Sequence, residues 1–203
     1  MKRIHYLSGL VLALFIALHL FNHLASVYGA ETHIALMDQL RRAYRNPFVE
    51  TALLAAVAVQ IISGISLVRC RKGALQGFYD RLQVRTGLYL AFFLLIHVAA
   101  VLIGRYVMEL DTNFYFGVAG LNTFPINLFF IPYYALAILS FFGHMAAIHF
   151  QKMKGKILGL TVEQQSRSIL IVGIIVTLVI FYGLTDRFSG VELPKAYFIL
   201  IGR

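Results

Sequence analysis

Five stretches of this chain run without a single Asp, Glu, Lys or Arg for about the distance needed to cross a bilayer. They lie between Arg3 and Glu31, Glu50 and Arg69, Arg85 and Arg105, Asp111 and Lys152, and Arg167 and Asp186. The hydrocarbon core takes about 20 apolar residues as a helix. A backbone in lipid must satisfy its own hydrogen bonds, which leaves helices as the spanning form for such runs. The fourth gap is about twice the needed length and contains Pro125 and Pro132. Its helix is therefore expected to begin near Phe130 and end near Phe150, with the aromatic run Phe114, Tyr115 and Phe116 at the interface. The expectation is an all-α bundle of five transmembrane helices, about residues 5–29, 49–69, 86–106, 129–151 and 168–187, forming one integral-membrane domain over 1–203. Composition agrees: 60% of residues are hydrophobic and only 13% are charged, against about 25% charged in soluble domains.

Lys2 and Arg3 before an apolar run imitate a signal peptide. Val27-Tyr28-Gly29 is a poor cleavage site, and two histidines interrupt the run, so the first stretch is expected to remain as a span. Residues 31–46 place Ile34, Met37, Leu40 and Tyr44 at helical spacing and read as an interfacial helix on the outer surface. A single cysteine, Cys70, excludes a disulfide framework and a thiolate-bound cluster held by this chain alone. The sequence has no phosphate-binding glycine loop, no dinucleotide fingerprint and no hydrolase triad context.

The charges sort by side. With five spans, the N-terminus and the second and fourth loops share a face bearing Lys2, Arg3, Arg69, Arg71, Lys72, Arg81, Arg85, Lys152, Lys154, Lys156 and Arg167. Its acids are Asp80 and Glu163, so the chain's whole surplus of +9 falls there and the other face is neutral. Positive loops stay in the cytoplasm, so the N-terminus is expected inside, in the cell's inner membrane. The same basic rim suits anionic lipid or a soluble partner with acidic patches.

Four of the seven histidines fall inside spans: His19 and His23 in the first, His97 in the third and His144 in the fourth. Ionisable side chains are costly in hydrocarbon and mark functional sites by default. At 1.5 Å per residue, His19 lies roughly 24 Å beyond Arg3 and His97 roughly 18 Å beyond Arg85, both in the outer half. Two imidazoles facing each other from separate helices are what a six-coordinate b-type haem needs. His23, one turn from His19, is the alternative ligand. His144 lies roughly 12 Å from Lys152 in the inner half, and the residue of matching depth on the second helix is Gln60. An amide is a weak iron ligand, so a hydrogen bond between His144 and Gln60 is the other use of that pair. Glu31, Asp38, Glu50, Ser63 and Arg71 lie where a quinone carbonyl needs a proton-accepting group, and none is singled out.

Several segments together resemble one family. They are His5-Tyr6-Leu7-Ser8-Gly9 continuing to His19-Leu20-Phe21-Asn22-His23, then Tyr44-Arg45-Asn46-Pro47-Phe48-Val49-Glu50, then Arg85-Thr86-Gly87 through His97-Val98. Gly143-His144-Met145 and Leu160-Thr161-Val162-Glu163-Gln164-Gln165-Ser166-Arg167 complete the series. In this order they resemble the single-chain, five-helix cytochrome b membrane anchor of succinate dehydrogenase/fumarate reductase. The resemblance implies haem b held by His19 and His97, and it carries His144 over as a ligand of an inner haem. Gln60 stands where that haem's second histidine belongs. The resemblance also implies flavoprotein and iron–sulfur subunits docked on the cytoplasmic face, passing electrons to membrane quinone. Two other readings stand beside it: a haem-free membrane scaffold whose histidines bridge helices, and a stand-alone quinone-linked cytochrome b.

Overall fold

A computed structural model describes residues 1–71 and 73–202. The described residues are mostly helical, with one isolated bridge, Ile157 to Leu160, as the only β-type pairing among them. The elements are α1 (Lys2–Leu24, running into a 3-10 turn Ala25–Tyr28), α2 (Ala30–Tyr44), α3 (Pro47–Arg69), α4 (Gly77–Tyr106), α5 (Phe114–Val118), α6 (Asn127–Lys152) and α7 (Val162–Leu184). A 3-10 segment, Lys195–Ile201, closes the chain. Five helices, α1, α3, α4, α6 and α7, are long and apolar enough to cross a membrane.

Helix starts follow local chemistry. The Asn46 side chain accepts from the Phe48 amide and Pro47 takes the first helical position, which fixes the start of α3. At α7, Thr161 and Gln164 form a reciprocal capping box. Gly29, at φ 106°, lets the chain turn out of the 3-10 segment into α2, a conformation a β-carbon would oppose. The spans outrun the charge-free gaps: α4 begins at Gly77 and α7 at Val162. Charged residues end the hydrocarbon-length run without ending the hydrogen-bonded helix. Pro132 lies inside α6 rather than at its start. As the sixth residue of α6 it lies past the first turn, so its missing N–H leaves the Leu128 carbonyl without an i+4 donor.

The five long helices close a ring: α1 packs on α3, α3 on α4, α4 on α6, α6 on α7, and α7 back on α1. α1 and α4 are thus not packed neighbours. The α4–α6–α7 side is tight because small residues admit close approach. A β-carbon on Gly173 would meet the Phe142 side chain at 2.5 Å, and one on Gly143 would meet Thr86 at 3.0 Å. The buried core, Phe114, Val118, Leu121, Ile138, Ile180 and Leu184, sits at the end of the ring that carries α2 and α5. Phe114 from the aromatic run is thus a core residue. Around the ring, side chains such as Leu14, Leu95, Ile96, Ile175 and Leu178 are exposed, as lipid-facing positions of a multi-pass membrane protein would be.

The interfacial helix exists as α2, but its buried line is His33, Met37 and Arg41, while Ile34, Leu40 and Tyr44 are only half-buried. A reading by apolar spacing alone passes over a histidine and an arginine that are buried because each has polar partners.

Candidate functional site

Four imidazoles meet at the α2 end of the ring. His19 and His23 project from one face of α1, one turn apart, with His23 Nε2 3.1 Å from His19 Nε2. His33 of α2 continues the file, its Nε2 3.2 Å from His23 Nδ1 and 3.1 Å from Asn22 Nδ2. His97 enters from α4, its ring centre 6.1 Å from that of His19 at an interplanar angle of 64°. Aromatic stacking orients both rings of that pair. Phe15 lies over His19 at 5.9 Å and Phe93 over His97 at 5.0 Å, each within 15° of parallel.

Each close pair in the file holds one proton between two nitrogens, so the tautomer at one end sets the others. Because Asn22 Nδ2 can only donate, His33 Nε2 accepts from it and from His23 Nδ1, and His23 Nε2 then accepts from His19 Nε2. His33 Nδ1 and Asn22 Oδ1 are buried without a hydrogen-bond partner. Burial holds the His33 imidazole down to about 4, with the charges of His19 and Arg41 adding to the effect, so it is neutral at physiological pH.

The ring centres of His19 and His97 lie 6.1 Å apart, while His19 Nε2 is taken up by His23. Two imidazoles on opposite sides of one metal, each bonded at about 2 Å, put their ring centres roughly 6 Å apart. The pair arrives from two helices that do not pack against each other. An apolar cavity of about 270 Å3 also opens at His19, walled by Phe15, Leu18, Tyr44, Val49 and Leu53. No group of three or more His, Cys, Asp or Glu among the described residues is arranged to hold a bare metal ion. His23, the alternative ligand, turns its edge to His19 and His33.

The inner position is built differently. Gln60 does not reach His144. Its Nε2 lies 3.3 Å from His5 Nε2, its Oε1 accepts from Ser8 Oγ at 2.6 Å, and Ser63 Oγ lies 2.9 Å from His5 Nδ1. This polar knot ties α1 to α3. His144 instead bonds α4, with Nδ1 3.1 Å from the Gln83 carbonyl and 3.3 Å from Thr86 Oγ1. Gly87 makes room for it, since a β-carbon there would stand 3.1 Å from the imidazole. The expected Gln60–His144 hydrogen bond is therefore replaced by two separate sets of partners, because Gln60 faces the adjacent helix α1. The residues at this depth do not present an opposed imidazole pair of the kind His19 and His97 form.

Of the carboxylates noted from the sequence, Glu50 pairs with Arg105 through both oxygens, at 2.5 and 3.2 Å, and Asp38 lies 3.3 Å from Arg41. Sequence reading left two site residues without a role, His33 and Arg41. Their common signal is the spacing 33, 37, 41, one face of a short helix. The chain matches no protein-family model, no curated protein and no solved structure.

Proposed function

We propose that this protein is a haem b-containing membrane anchor of a complex like succinate dehydrogenase/fumarate reductase, passing electrons between docked flavoprotein and iron–sulfur subunits and membrane quinone. The observation that carries the reading is the His19–His97 pair, two imidazoles from helices that are not packed neighbours, with ring centres 6.1 Å apart. His19 and His97 would hold the haem, which when bound supplies reversible one-electron transfer. The chain's part is to present two imidazoles, to fix their planes through Phe15 and Phe93, and to set apolar side chains around His19. At the other end, Lys2, Arg3, Arg69, Arg71, Arg81, Arg85, Lys152, Lys154, Lys156 and Arg167 are all exposed, a rim suited to acidic partner subunits on the cytoplasmic side.

A second reading has its own support. The file His19–His23–His33–Asn22 is joined by hydrogen bonds without any metal, as a haem-free scaffold would require. The dithionite-reduced spectrum of the purified protein separates the two. A sharp α-band supports the haem reading, and a preparation that stays colourless after haemin is supplied supports the scaffold. Affinity purification of the tagged protein tests the anchor role. Recovery of flavoprotein and iron–sulfur subunits supports it, whereas haem protein recovered alone indicates a stand-alone cytochrome b.

A further inference from the structure

The loop between α6 and α7 carries a leucine where a hairpin turn can least accommodate one. Ile157 and Leu160 exchange both backbone hydrogen bonds, with Ile157 N donating to the Leu160 carbonyl at 3.3 Å and Leu160 N to the Ile157 carbonyl at 2.9 Å. The two residues between them, Leu158 and Gly159, have φ 49° and 78°. Positive φ at both central positions is what the tight mirror-image turn demands, and Asn-Gly is the pair that meets it best. Gly159 adopts it freely, whereas Leu158 must hold a β-carbon in the left-handed region. The Leu158 side chain is also 96% exposed. No packing within the chain offsets its strain, which points to a contact outside the chain.

The tip is presented in a fixed way. Gln165 Nε2 donates to the Gly155 and Leu160 carbonyls at 3.1 and 2.8 Å, which ties both arms of the turn to the start of α7. Ile157 and Leu160 beside the tip are exposed as well, so three aliphatic side chains face outward together. Lys152, Lys154 and Lys156 precede them at every second position. All three lysines are exposed, and none of the ion pairs among the described residues involves them.

A surface matching this tip is anionic at its face and aliphatic behind it. Lys152 is the last residue of α6, a helix able to cross the membrane. Leu158 follows it by six residues, about 20 Å at full stretch. The bilayer is therefore within reach without any second protein. Negatively charged headgroups answer the ammonium groups, and the acyl region below them takes the aliphatic side chains. The tip offers no aromatic, carboxylate or amide side chain with which a specific protein pocket could fix its orientation.

We propose that the Ile157–Leu158 turn dips into the adjoining leaflet and that Lys152, Lys154 and Lys156 bind anionic phospholipid headgroups beside it. The inference stands on the membrane-spanning fold and is independent of the haem reading.

The chain contains no tryptophan, so Leu158→Trp in the full-length protein makes the tip a unique fluorescent reporter. The variant is reconstituted into phosphatidylcholine vesicles holding increasing fractions of phosphatidylglycerol. Its emission is followed with brominated acyl chains in the bilayer and, separately, with acrylamide in the water. Quenching by the brominated chains is expected to rise with the phosphatidylglycerol fraction, while acrylamide quenching falls. Adding Lys152→Gln, Lys154→Gln and Lys156→Gln is expected to abolish that rise. Tryptophan itself favours membrane interfaces, so the lysine comparison decides: an equal response with and without the lysines overturns the proposal. A tip open to acrylamide at every lipid composition also overturns it. Shielding that appears only once soluble partner subunits are bound does the same, because the loop is then a protein contact. A second measurement uses Leu158→Asn, which relieves the strained turn and is expected to raise the unfolding midpoint in detergent. A lowered midpoint would show that contacts within the chain hold Leu158, and the tip would not be free for lipid.

Discussion

His19 and His97 stand with ring centres 6.1 Å apart although α1 and α4, which carry them, are not packed neighbours in the helix ring. The helices between them set that spacing, with α3 bridging the two on one side and α6 and α7 on the other. Phe15 and Phe93 hold the two rings from behind. A pair brought together edge-on this way is positioned by the whole bundle, and changes remote from it are expected to act through the bundle's integrity.

Orientation is open to direct measurement. Cys70, the sole cysteine, is exposed just past the end of α3, on the basic rim. With the N-terminus in the cytoplasm, a membrane-impermeant maleimide is expected to label Cys70 in inverted vesicles and not in intact cells. Labelling of intact cells would reverse the orientation.

Gln165 is buried at the start of α7 and ties down the loop from α6. Its Nε2 donates to the Leu160 carbonyl at 2.8 Å and the Gly155 carbonyl at 3.1 Å, and its Oε1 lies 2.8 Å from His149 Nε2. Gln165→Ala leaves those groups without partners and is expected to cost about 1–3 kcal/mol, read as a lower unfolding midpoint in detergent. Trypsin should then cut faster at Lys154 and Lys156. An unchanged midpoint and cleavage rate would show that the loop is held by other contacts.

His33 sets a pH dependence for the haem-free protein. In the unfolded chain an imidazole takes up its proton near pH 6.5, whereas burial delays uptake by folded His33 until about pH 4. Between those values the unfolded chain binds more protons, so stability falls as the pH drops from 6.5 and the effect vanishes above it. The loss by pH 4 is on the order of 3 kcal/mol. Unfolding midpoints at pH 7 and pH 5 should differ in the wild type, and His33→Gln should narrow the difference. An equal difference in the variant would assign the effect to other groups.

The five spans were legible because desolvation of charge dominates in lipid, so runs free of Asp, Glu, Lys and Arg mark them without any packing information. Depth was legible too. Rise per residue places His19 and His97 at comparable levels, and the structure brings them together. Azimuth was not. Gln60 and His144 share a depth, yet the ring order seats Gln60 beside α1, where His5 and Ser8 take it, and gives His144 to α4. Which face of a helix meets which neighbour depends on close approaches such as that of Gly173 to Phe142, and these involve pairs distant in sequence. Arg41 and His33 escaped for a related reason. An apolar stripe is visible in the sequence, but the partners that permit a buried cation, here Asp38 and Asp111, are visible only in the fold.

The proposed haem, clasped by His19 and His97, would be present once per chain. The most direct measurement is the haem-to-protein ratio, from the pyridine haemochrome, of the purified wild type, His97→Ala and His144→Ala, each supplied with haemin. One haem per chain is expected in the wild type, with the sharp α-band lost in His97→Ala and unaltered in His144→Ala. Two haems per chain, or a band lost in His144→Ala and kept in His97→Ala, would contradict it.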